Sequence, residues 1–189
     1  MLFFYSIIKL GQPNSKLFMQ YDFQKVLSPE MVTYYITTIV FISRIARIIG
    51  NIVFGKLYLK IKNKMSIVLT IFEALSFALL IFGHFLDFSF ILKVILMSLG
   101  FFLILAIRDS FQVYIEDTAL KITKKDEQQK IMIDIEVYRK LVQLVFSGII
   151  TLILMKYELI VVEFILLILS IVEFTINKTM CKKLEKIEV

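Results

Sequence analysis

Five long apolar runs, near residues 31–58, 65–83, 88–107, 141–155 and 159–176, leave this chain few ways to fold. A helix needs about 20 such residues to cross a bilayer, and each run reaches that length or approaches it with its flanks. The third continues as helix to residue 117 or beyond, and the fourth begins in polar sequence near residue 127. Hydrophobic residues make up 59% of the 189, against about 45–50% in soluble domains. Disorder is excluded, and a soluble enzyme has nowhere to hide this much apolar surface. With 6 Gly and 2 Pro the chain lacks the turns of an all-β fold. The expected class is all-α, a polytopic membrane helix bundle of about five transmembrane helices.

Charge sets the expected orientation. The net charge is +6, which in a soluble protein would suggest nucleic acid; here the lysines cluster between apolar runs, so no nucleic-acid partner is expected. Lys56, Lys60, Lys62 and Lys64 follow the first run, Lys121, Lys124, Lys125 and Lys130 the third, and Lys178, Lys182, Lys183 and Lys186 the fifth. The connections at 84–87 and 156–158 carry one Lys between them. The positive-inside rule then places the Lys-rich connections and the C-terminus in the cytoplasm of a multi-pass cell-membrane protein. The heavy Ile, Lys and Phe usage matches an AT-rich bacterial genome.

Residues 1–29 read as a helix end followed by an extracytoplasmic loop, 30–180 as a five-helix bundle, and 181–189 as a cytoplasmic tail. Residues 1–10 carry neither a leading positive charge nor a small-residue cleavage site, unlike a signal peptide. Residues 11–30 are polar and hold both prolines; Ser28-Pro29-Glu30 reads as a helix start. Cys181 is the one cysteine and has no internal disulfide partner. His84, the one histidine, reads as a solvated loop residue. No metal or cofactor is expected.

On a helical wheel, Thr33, Thr37, Val40, Arg44, Arg47 and Asn51 fall within about 80° of one another. Two arginines in mid-membrane cost about 2.5–3.5 kcal/mol each on insertion scales and face a bundle interior or a wet cavity. Ala46 and Gly50 offer a small-xxx-small face for a close helix neighbour. Glu136, Lys140, Gln143, Ser147 and Thr151 form a second stripe within about 80°. The fifth run is apolar all round apart from Glu163 and Glu173, as on a peripheral helix. Folding the first two runs back on each other brings Glu73 near Arg47 as an ion pair. Arg108, Asp109, Asp134, Glu136, Arg139 and Lys140 either join the cavity or sit on helix ends in water.

Gly55-Lys-Leu-Tyr-Leu-Lys-Ile-Lys-Asn-Lys64 resembles the cytoplasmic signature loop of the major facilitator superfamily, G-x-L-x-D-R-x-G-R-K. Gly55, Leu57, Lys60 and Lys64 match or nearly match; Leu59 stands at the family's Asp and Lys62 at its second Gly. Phe111 to Asp117, followed by the charged run 124–130, resembles the end of the family's fourth helix and the loop after it. Arg108 with Gln112 loosely echoes its R-x-x-Q-G. The resemblance implies the C-terminal half of a secondary transporter, lacking most of its first helix. In such a half the second and fifth helices line the interface between halves and the third and sixth are peripheral, which is where the polar stripes and the apolar helix fall.

The resemblance implies a small solute moved by alternating access, with Arg44, Arg47, Asn51, Gln143 and Ser147 lining the cavity. Two arginines favour an anionic substrate or an internal carboxylate partner. Glu73, then Glu136, are the candidates for coupling to protons. Besides lipid, the partner is the missing half or a second membrane chain. The alternatives are a non-transporting accessory or immunity-type subunit, and a non-functional transporter fragment. No HExxH, Gly-rich phosphate loop or nucleophile with a base at hand points to an enzyme.

Overall fold

A computed structural model describes residues 2–85 and 89–184. Every regular element among them is helical: α1 (Leu2–Gln24), α2 (Pro29–Ile61), α3 (Met65–Phe85), α4 (Phe90–Ile122), α5 (Gln128–Leu154) and α6 (Leu159–Leu184). Single 3-10 turns, Lys62–Lys64 and Lys125–Glu127, join α2 to α3 and α4 to α5. The helices α2 to α6 are each long and apolar enough to cross a membrane, and the chain is a multi-pass membrane protein. Leu86 and Asp87 in the expected connection, and the tail from 185 on, lie outside the described residues.

The main correction falls at the N-terminus. Residues 11–24, expected as loop, continue a 23-residue helix, α1. Its buried positions from residue 7 on are Ile7, Ile8, Leu10, Gly11, Asn14, Ser15, Phe18, Met19, Asp22 and Phe23, largely at a three-four spacing along one side of the helix. Four of those ten are not apolar, so hydropathy conceals the stripe. Pro13 removes one helical hydrogen bond. One residue on, the Asn14 amide donates to Leu10 O at 2.7 Å and adds a bond to the same turn.

Within lipid, helices associate through van der Waals packing and small residues rather than through exclusion of water. The hub is α4, which lies between α2 and α3. A Cβ on Gly50 of α2 would come within 2.5 Å of Ala106 Cα, and one on Gly100 of α4 within 2.6 Å of Ser76 O on α3. Both contacts therefore need glycine. The expected close contact at Gly50 is present, and it is made with α4.

α1 runs antiparallel to α2, α4 and α6. Phe23 meets Tyr35 of α2 edge-on at 6.5 Å between centroids, while Gln12 lies in a cavity with Arg44 and Arg47 further along α2. Ser15 Oγ donates to Glu163 Oε2 of α6 at 3.3 Å, and Tyr21 and Gln24 approach Leu159 at the start of α6. α1 therefore begins at the end of the bundle where α6 finishes. At the opposite end, Asp22 is buried against His84 Nδ1 of α3 at 2.9 Å and Lys93 Nζ of α4 at 3.0 Å. His84 is thus a half-buried pin in the last turn of α3, where a solvated loop residue was expected.

Candidate functional site

Consecutive residues on a helix point about 100° apart. On α4 this sends Arg108 toward α1 and Asp109 toward α2. The Arg108 guanidinium donates to Gln12 Oε1. Asp109 accepts from Arg47 Nε at 2.5 Å and Nη2 at 3.0 Å, and from Asn51 Nδ2 at 3.3 Å. The fork-to-carboxylate geometry is bidentate, the strongest form of such a bond. Arg47 and Asn51 share one face of α2 by their i,i+4 spacing, so one carboxylate reaches both.

Above this bridge lies a cavity of about 450 Å³ between α1, α2 and α4. Lys16, Arg44, Arg47 and Arg108 line it, with Gln12 and the apolar wall of Phe101. Lys9 adds positive charge close to Arg108. Among the described residues neither Lys16 nor Arg44 makes an ion pair. Four cations against the single carboxylate of Asp109, itself held by Arg47, leave the cavity strongly positive. Such an arrangement can attract an anion.

A second cavity of about 300 Å³ lies on the far side of the bridge, lined by Asn51, Phe54, Tyr58, Asp109, Ser110 and Tyr114. The Arg47–Asp109–Asn51 contact therefore divides two spaces. Beyond the second, Tyr58 Oη donates to Asp117, whose carboxylate also holds Lys121 Nζ at 2.6 Å. Lys121 Nζ reaches Tyr58 Oη at 3.1 Å, closing a three-member clasp between α2 and α4.

The structure brings Arg44, Arg47, Asn51, Arg108 and Asp109 together. It does not bring Glu73 to Arg47. Because α4 separates α2 from α3, Arg47 is taken by Asp109 and Glu73 faces α6 instead. Gln143 is half-buried and Ser147 exposed on α5, and neither lines the cavity. Of the other charges on α5, Glu136 pairs with Arg139 and, at 3.8 Å, with Lys140 on its own helix, Asp134 is exposed, and Arg139 adds positive charge near Lys9.

The expected signature loop is shorter than the motif. Gly55, Leu57 and Lys60 belong to the last turns of α2, and Lys64 to the 3-10 turn. At Lys62 the backbone has φ 38°, the one positive φ among the described residues. Sequence reasoning missed the α1 contribution, Gln12 and Lys16, and the clasp of Tyr58 and Asp117. The spacing of positions 7, 8, 11, 14, 15, 18, 19, 22 and 23 could have shown the first, had small and polar residues been counted as buried. No protein-family model, curated protein or solved structure matches the chain.

Proposed function

We propose that the chain is one helical half of a secondary transporter of the major facilitator type, carrying a small anionic solute across a bacterial cell membrane. The carrying observation is the cavity walled by Lys16, Arg44, Arg47 and Arg108. The bridge at Asp109 acts as an internal anion that occupies Arg47 when solute is absent. Alternating access needs two repeats rocking about a central site, so this half works against another bundle. Support for that comes from α5, whose residues are largely exposed, including Ser147 and Thr151 of its polar stripe. Further support comes from Lys62: the positive φ falls where the family signature has its second glycine.

The test is thermal unfolding of the purified full chain with inorganic phosphate, sulfate or succinate, sodium held constant. An anion that binds the folded state raises Tm, by about 2–4 °C for each 1 kcal/mol of binding linkage. The rise should be largely lost in Arg44→Ala and Lys16→Ala. Equal melting with every anion, or a shift that survives both substitutions, overturns the anion reading. A non-transporting accessory subunit is the second reading, favoured by the same open face of α5. It predicts no uptake by proteoliposomes holding the chain with its partner.

A further inference from the structure

The seam between α3 and α6 holds polar groups that the cavity does not use. The two helices run antiparallel. Phe85 meets Phe164 at one end, with centroids 6.0 Å apart, and nearer the middle of α3 the Glu73 carboxyl faces that of Glu173. Glu73 and Glu173 are both 0% exposed, and Asn177, one turn along α6, is 1% exposed. The Asn177 amide donates to Glu173 Oε1 at 3.3 Å. Both oxygens of Glu73, Oε2 of Glu173 and Oδ1 of Asn177 receive no hydrogen bond from an amide, ammonium, guanidinium or hydroxyl donor among the described residues; the two carboxyls lie within hydrogen-bonding reach of each other, as a pair sharing one proton would. Neither glutamate has a Lys, Arg or His partner among them.

Buried polar groups are almost always satisfied, and an ionised carboxylate without a partner costs several kcal/mol in such a place. One proton shared between the carboxyls neutralises only one of them, and the oxygens left over on the three adjoining side chains point to a missing positive ligand. The donors are all oxygen, which selects a hard cation and excludes soft metals. Calcium takes 6–8 oxygens and magnesium keeps several waters, neither of which suits a dry seam with so few free side-chain oxygens. We propose that Glu73, Glu173 and Asn177 form a binding site for one dehydrated sodium ion between α3 and α6. Charge balances with one carboxyl ionised and the other carrying its proton. The inference does not rest on the anion reading, because the site shares no residue with the α1–α2–α4 cavity.

The experiment is thermal unfolding of the full chain in equal concentrations of sodium, potassium and choline chloride, paired with equilibrium binding of radioactive sodium. Sodium should raise Tm by about 2–4 °C over choline, and potassium by less. Binding should saturate at about one sodium per chain, and both signals should vanish in Glu73→Gln and Glu173→Gln. Equal melting in the three salts overturns the proposal, as it would for a pair that exchanges only protons. A sodium shift that persists in both variants overturns it as well. The wild-type salt comparison and sodium binding decide the matter even where a variant fails to fold.

Discussion

At the scale of single residues, burial and backbone conformation decide what each charge or turn can do. Arg47 and Asp109 illustrate the first. Both are charged residues inside apolar runs, and only contact made their partnership visible. Lys62 illustrates the second. A side chain at positive φ costs roughly 1–2 kcal/mol, which glycine avoids. Lys62→Gly is therefore expected to stabilise the chain by about 1 kcal/mol, less glycine's extra unfolded-state entropy. Thermal or denaturant unfolding of the detergent-solubilised protein measures it. A loss of stability of similar size would mean that the Lys62 side chain contributes more than its backbone costs. The sequence contained no sign that Lys62 takes a backbone conformation that favours glycine.

At the scale of helices, the contacts that matter are those where backbones approach. Gly50 sits against the Ala106 backbone, whereas Gly148 on α5 has nothing within 4 Å of an added Cβ. Gly50→Ala should therefore destabilise the bundle by about 1–3 kcal/mol through overpacking. Gly148→Ala should instead stabilise the isolated chain by roughly 0.5–1 kcal/mol, the ordinary gain in helix propensity. Unfolding of the two variants side by side checks both signs, and a destabilising Gly148→Ala would show that α5 already has a close neighbour. The periodicity of α2 showed a small-residue face at Ala46 and Gly50. It could not show whether α3 or α4 would use it, because short connections bring consecutive helices near each other without requiring that they touch. That ambiguity produced the expected Glu73–Arg47 pair. The same helix-scale blindness hid α1, whose inward stripe mixes Gly, Asn, Ser and Asp with its apolar residues.

At the scale of the whole molecule, α1 changes the topology. Five spans with an external N-terminal segment place the two termini on opposite sides. An antiparallel α1 puts Leu2 at the end of the bundle where α6 finishes, along with the turns Lys62–Lys64 and Lys125–Glu127. An N-terminal tag and a C-terminal tag should both become protease-accessible from the same side of sealed vesicles. With Cys181→Ser removing the native thiol, a cysteine at Lys125 should label from that side and one at Lys156 from the other. Tags on opposite sides would restore the five-span arrangement. Class was legible from the chain alone, since apolar runs of membrane length, broken by lysine clusters, permit little besides a helical bundle. Also legible were the arginine-bearing face of α2 and the polar stripe of α5, because a helix repeats every 3.6 residues whatever it packs against. Which helices became neighbours, and so which charges met, depended on tertiary structure. Arg47 found Asp109 and Glu73 found Glu173 because α4 came between α2 and α3. Such choices rest on close-packed contacts between residues far apart in sequence, and no local period records them.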